Sequence, residues 1–175
     1  EALAHSIAVV ASNKIATSDA QERYEGLKQL ALRAGVEYRF ETNVGAGLPL
    51  IDTIQHLVQS GDRIHKIEGM FSGTLNYVFS NFNSGITFKK VIEDARAAGL
   101  TEPDPRTDLS GVDVQRKILI LAREAGYTLE MSDVAGKGFL LDSQMEGSID
   151  AFMDSLPEIE EAMQKKWKEA DAKGE

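Results

Sequence analysis

The 175 residues are 42% hydrophobic and 27% charged, with a net charge of −9, the balance of a globular chain with room for one hydrophobic core. The negative charge argues against a nucleic-acid footprint, which needs a basic stripe, and no apolar run approaches the roughly 18 residues of a membrane span. With no cysteine, disulfides, thiolate nucleophiles and cysteine metal sites are excluded, and a reducing, cytoplasmic location is expected.

Glu1-Ala2-Leu3-Ala4-His5 opens straight into a short apolar run, so no signal peptide is expected. Ile7 to Val10 reads as a buried parallel strand that ends in the loop Ala11-Ser12-Asn13-Lys14. Asp19 to Ala34 carries Tyr24, Leu27, Leu30, Ala31 and Ala34 at helical spacing, and Gly35 stops it. Val36, Tyr38 and Phe40 alternate with polar residues as a half-buried strand does. Strand, helix and strand in sequence are the pattern of a βαβ unit, the tail of a doubly wound domain.

After the glycine-rich stretch Val44-Gly45-Ala46-Gly47-Leu48, Pro49 suits a helix start and Ser60-Gly61-Asp62 its end. Ile64 to Phe71 reads as a further strand, and Ser72-Gly73-Thr74 opens a helix bearing Leu75, Val78, Phe79 and Phe82. Thr87 caps the next helix, which stops at Gly99. A Pro-rich acidic loop, Thr101 to Asp108, leads into one helix from about Asp108 to Ala125. Met131 to Gly147 is poorly patterned. Ser148 and Pro157 start the last two helices. The opening strand asks for partners that almost nothing precedes, and Lys173-Gly174-Glu175 halts where a glycine would end a helix. Both ends read as cuts through a longer protein.

The chemistry concentrates between Ala95 and Lys117. Pro103 and Pro105 stiffen a loop in or beside which Glu102, Asp104 and Asp108 lie, while Asp113 and Lys117, four apart, share one helix face. Carboxylates could hold the ammonium group of a small zwitterion, and a lysine could handle an oxygen or move a proton. Composition alone favours a plainer alternative, a solvated acidic turn with an ordinary i,i+4 ion pair. His5, His56 and His65 do not have metal-ligand spacing, and Val-Gly-Ala-Gly is by itself a tight turn.

The run from Ala95 to Lys117 nevertheless resembles the signature of homoserine dehydrogenases: Ala-x3-Gly, then Pro-x2-Asp-Leu-x-Gly-x-Asp-x3-Lys. Phe40 to Pro49 is similar to that family's loop at its domain junction, and Ile67 to Tyr77 to the strand and helix start lining its substrate pocket. The likeness runs from about Val9 to the end, and Phe152 to Gly174 looks most like members fused behind an aspartate kinase.

The resemblance implies an α/β fold: residues 1–44 as the tail of a Rossmann-like dinucleotide-binding domain, and 45–175 as a catalytic and dimerisation domain with a mixed sheet covered on one face by helices. It implies reversible hydride transfer between NAD(P)H and L-aspartate 4-semialdehyde, giving L-homoserine, in a homodimer. Lys117 matches the proton donor, Asp113 and Glu102 match substrate contacts, and Asp108 is expected to orient the same site. Lys14 matches a lysine reaching cofactor and substrate, and could compete for the proton-transfer role; Gly99 matches a glycine close to the nicotinamide. Glu41 and the backbone carbonyls of Val44, Ala46 and Leu48 match ligands of a monovalent cation, sodium.

Ser12, Thr107 and Gln115 depart from the family's usual proline, aspartate and alanine. No G-x-G-x-x-G follows a strand in these residues, so the chain alone is expected to lack hydride transfer. The competing expectation is a dimerisation module without a preformed pocket.

Overall fold

The computed structural model describes residues 1–136 and 138–174; Glu175, at the expected chain end, lies outside them. The chain packs as two compact units. One comprises Glu1–Phe71 and Val114–Gly136, the other Ser72–Asp113 with the described residues 138–174.

In the first unit, β1 (Val9–Val10) pairs in parallel with β2 (Tyr38–Arg39), Val9 opposite Tyr38 and Val10 opposite Arg39. Between them runs α1 (Gln21–Ala34), completing the βαβ pattern read from the periodicity. No side chain of the preceding Ala20 caps α1. The Glu130 carboxylate, distant in sequence, accepts the Gln21 N–H instead, at 3.0 and 3.2 Å. Next comes α2 (Leu50–Gln59), entered through Pro49. Its apolar face, Ile51 and Ile54, joins Tyr24, Phe40, Val44, Ile120 and Leu121 in one core.

The second unit holds α3 (Gly73–Asn81), α4 (Phe88–Ala97), α5 (Arg106–Leu109), α7 (Ile149–Ser155) and α8 (Glu160–Asp171). Ser72, Thr87 and Ser148 accept the N–H groups of Leu75, Lys90 and Ala151 as N-caps, each contributing about 1 kcal/mol. Phe88, Val91, Ile92 and Ala95, at helical spacing, are all buried, and Phe82 meets Phe88 edge to face at 5.4 Å. In the segment that lacks a sequence pattern, the Arg106 guanidinium donates to the carbonyls of Met145, Glu146 and Gly147. That contact ties the end of the segment to the acidic loop. The division between the units falls within α6 (Val112–Glu124), after Asp113.

The α/β class read from the sequence holds, and three of its details differ. Ile64–Phe71 lies outside any helix and joins no ladder, and among the described residues the sheet is two-stranded. The segment's Ile64, Ile67 and Phe71 pack on the core at spacings of three and four, not the two of a strand face, so its apolar residues report burial while a ladder requires a second backbone. The expected single helix from Asp108 to Ala125 is two, because Gly111 takes a left-handed φ of 74° that breaks α5 from α6. The opening strand is parallel as expected, yet it is not buried: Val10 is 84% and Ile7 58% exposed. Among the described residues no helix is long and apolar enough to cross a membrane.

Helix α6 ends in two charged residues that are buried, Arg123 and Glu124. Glu124 accepts hydrogen bonds from the Tyr24 hydroxyl, from Lys28 Nζ at 3.0 Å and from Gln55 Nε2 at 2.6 Å. Burial foremost, then the adjacent Glu124 charge, pushes the Tyr24 phenol well above its usual value of 10.0. The raised folded-state value means that this contribution to stability is complete below pH about 10 and is lost as the pH climbs above it. In urea titrations the wild-type midpoint should fall as the pH rises above about 10, and fall less in Tyr24→Phe. At pH about 7 that variant should be roughly 2 kcal/mol less stable, having lost a hydrogen bond to a charged acceptor.

Candidate active site

The glycine-rich loop is built from its neighbours in the first unit. Glu41 opens a one-turn helix, Glu41–Asn43, and its carboxylate accepts the N–H groups of Ile51 at 2.8 Å and Asp52 at 2.9 Å. A carboxylate at the first turn of α2 satisfies orphan donors and complements the helix dipole. Val44 is fully buried. Gly45 and Ala46 then take φ of 82° and 52°, turning the chain sharply. A Cβ on Gly45 would lie 2.5 Å from Leu50 Cδ1 and would have to displace it, while the left-handed φ strains any residue with a side chain there. Leu48 N–H donates to the Gly45 carbonyl, and Leu50 N–H to the Leu48 carbonyl, both at 2.9 Å.

These groups are hard oxygen donors, and each Glu41 oxygen keeps lone pairs beyond those used by the helix. The set fits a hard monovalent cation. Among the described residues no group of three or more His, Asp or Glu side chains could hold a metal ion, so any cation here would rest largely on backbone carbonyls.

Lys14 is half-buried in the loop after β1. Its carbonyl accepts the Ser18 hydroxyl at 2.7 Å and the Ser18 N–H at 2.9 Å, and Asn13 Oδ1 accepts the Ile15 N–H at 2.8 Å. Lys117, half-buried on α6, donates through Nζ to the Phe71 carbonyl at 2.7 Å. The Tyr127 hydroxyl donates to the Ile64 carbonyl at 3.0 Å. The segment Ile64–Phe71 is thus tied at both ends, to α6 and to the turn that follows it.

In the second unit, Gly99 follows α4 with a φ of 69° and leaves open space beside its α-carbon. Glu102 is exposed in the acidic loop, and its N–H is held by Asp108 Oδ2 at 2.9 Å. Asp108 therefore fixes the backbone that presents Glu102. Arg106 pairs with Asp104 through Nη2 at 2.6 Å, and that guanidinium holds the Asp104 carboxyl below the usual carboxylate range. Asp113, half-buried, lies in the first turn of α6. The structure thus groups Gly99, Glu102, Asp108 and Asp113 in one unit and Lys14, Lys117 and the Glu41–Leu48 loop in the other.

Sequence reasoning missed the buried polar residues beneath these positions: Thr17, Asn43, Arg123 and Glu124. Helical arithmetic could have found the last two, since Arg123 and Glu124 lie three and four residues after buried Ile120 and so share its face. Thr17 and Asn43 carry no such periodic signal. The first unit also has an open groove of about 860 Å³ lined by Lys28, Tyr38, Arg39, Glu41, Gln55 and Glu124, among others. Neither Lys14 nor Lys117 lines it.

A family model described as homoserine dehydrogenase matches residues 49–175. The chain is 45% identical over 170 residues to a bifunctional aspartokinase/homoserine dehydrogenase 1, chloroplastic, from Zea mays, a match covering 97% of this chain and 18% of that protein. It is similar to a Candida auris protein of unknown function, with a TM-score of 0.89 and 33% identity over 96% of this chain and 49% of the other. A hyperthermophilic archaeal homoserine dehydrogenase in complex with NADPH aligns with a TM-score of 0.64 and 30% identity, over 71% of this chain and 38% of that one. The chain spans about a fifth of the length of the curated relatives it matches.

The Asp108 contact is open to direct measurement. Replacing Asp108 with alanine should speed amide hydrogen exchange at Glu102 roughly tenfold, whereas Asp108→Asn, which keeps an acceptor, should leave it near wild type.

Proposed function

The chain belongs to the homoserine dehydrogenase family, and on that premise we propose that it supplies the substrate-handling part of an enzyme interconverting L-aspartate 4-semialdehyde and L-homoserine. The observation that carries this reading is the run from Ala95 to Lys117. It combines a helix stop at Gly99, a proline-stiffened loop that presents Glu102 against Asp108, and a helix with Asp113 and Lys117 one turn apart. A zwitterionic substrate needs both signs of charge, and this stretch offers them.

In the proposed reaction Glu102 holds the substrate ammonium group, with Asp108 orienting it, and Asp113 contacts the substrate. Lys117 gives a proton to the oxygen of the aldehyde as its carbon is reduced, and takes that proton back in the reverse direction. A bound nicotinamide cofactor, NAD(P), supplies or accepts the hydride. Gly99, lacking a side chain, lets the nicotinamide approach, and Lys14 reaches cofactor and substrate. Sodium bound by Glu41 and the carbonyls of Val44, Ala46 and Leu48 would stiffen the loop. No G-x-G-x-x-G stands within these 175 residues, so by themselves they are proposed not to turn over. The parent protein is proposed to be cytoplasmic, homodimeric and fused to an aspartate kinase. The name of the Zea mays relative supports the fusion, and it places that relative in the chloroplast.

One observation favours a second reading, a dimerisation and scaffold module. Ile64–Phe71 lies outside the helices, packs Ile64, Ile67 and Phe71 on the core and joins no ladder, which leaves a backbone able to pair with a second copy. Titrating the chain with L-homoserine separates the two. Saturable amide shifts centred on Glu102, Asp113 and Lys117 would support a substrate pocket, and their absence would favour the scaffold.

The proton-transfer role is tested in the parent enzyme. Lys117→Ala should lower kcat by about 10²- to 10⁴-fold with little change in homoserine KM, because proton transfer acts in the transition state. Near-normal turnover would move the role to Lys14.

A further inference from the structure

Asn43 is 1% exposed and Thr17 is fully buried, a costly placement unless their polar atoms are used. In the amide orientation that satisfies both ends, the Asn43 nitrogen donates to the carbonyls of Ala11 and Ser12 at 3.0 Å each, and its oxygen accepts the Thr17 hydroxyl at 2.7 Å. The far side of the same loop is held by Arg123, whose Nη1 donates to the carbonyls of Thr17 at 3.0 Å and Asp19 at 2.8 Å. Lys14 sits between these two anchorages.

Asn43 is also the last residue of the one-turn helix that Glu41 opens, and Val44 follows it directly. Its own N–H donates to the Phe40 carbonyl at 3.0 Å, and the Val44 N–H to Glu41 at 3.4 Å. Any rotation of Glu41–Val44 must therefore carry the Asn43 amide with it, and with it the carbonyls of Ala11 and Ser12, the two residues leading into Asn13 and Lys14. Asn43 and Thr17 are buried and the contacts of the Asn43 amide run from 2.7 to 3.0 Å, so little slack remains at that amide to absorb such a movement.

We propose that Asn43 is a positioning residue that couples the glycine-rich loop to Lys14, with Thr17 locking its amide. Occupancy of the loop by a monovalent cation is then felt at Lys14 through Asn43, a residue assigned neither to the ion nor to the substrate. The inference rests on the reading of Glu41, Val44, Ala46 and Leu48 as cation ligands and of Lys14 as a site lysine.

The test is a sodium titration of the 175-residue chain at constant ionic strength, balanced with choline, followed by backbone amide NMR. In the wild type the amides of Gly45 and Gly47 and those of Asn13, Lys14 and Ile15 should shift together with one midpoint. Thr17→Val, which keeps the shape and removes the hydroxyl, should retain the Gly45 and Gly47 response and reduce that of Asn13 to Ile15 by about fivefold. Thr17→Ser should restore it, which a change in stability alone would not explain. Shifts at Gly45 and Gly47 without any at Asn13 to Ile15 in the wild type would overturn the coupling while leaving the cation site standing. An unchanged Asn13 to Ile15 response in Thr17→Val would overturn it as well. No sodium response at Gly45 or Gly47 would remove the cation reading and this inference with it.

Discussion

Two adjacent buried charges at the end of α6 organise the first unit. Glu124 gathers the Tyr24 hydroxyl and Lys28 from α1 and Gln55 from α2. Arg123 gathers the carbonyls of Thr17, Asp19 and Leu129, with its guanidinium 5.1 Å from the centre of the Tyr24 ring. Burying a charge is expensive, and removing one partner of a buried charged network typically costs about 3–5 kcal/mol. The cost is offset here because each charge meets several hydrogen-bond partners at once. Burial lowers the tendency of Arg123 to hold its proton, and nearby Glu130 opposes that shift.

The residues assigned to chemistry in this unit hang from that arrangement. Lys14 lies in the loop that Arg123 and Asn43 hold from two sides. Lys117 projects from the same helix as Arg123 and meets the Phe71 carbonyl. Glu41 caps α2, whose Gln55 reaches Glu124. A rigid helix therefore carries the proposed proton donor, and its far end fixes the loop of a second lysine. In the other unit the corresponding device is smaller. Asp108 holds the Glu102 backbone, and Arg106 ties the acidic loop to the carbonyls of Met145 to Gly147.

Much of this was legible in the residues. Thr87 and Ser148 cap the helices they were expected to start, because capping depends on atoms within a few positions of each other. The buried face of α4 follows the 3.6-residue period. The split between α5 and α6 was harder. Asp108 to Ala125 carries a continuous helical pattern, and only the left-handed φ of Gly111 divides it. Ile64–Phe71 reads as a short strand between two helices, but pairing is a property of two segments, and the residues of one cannot supply the other.

The sequence by itself determined the α/β class, most helices and their caps, and the family, through a long signature of fixed residues at fixed spacing. Each of these is encoded in local order, where a side chain and its partner lie within one or two turns. Tertiary structure decided which polar residues are buried, what Glu41 caps, and that Asn43 and Arg123 clamp the Lys14 loop. Those contacts join residues about 30 and 100 positions apart, and no local pattern specifies them, because the geometry of such a contact exists only once the core has formed.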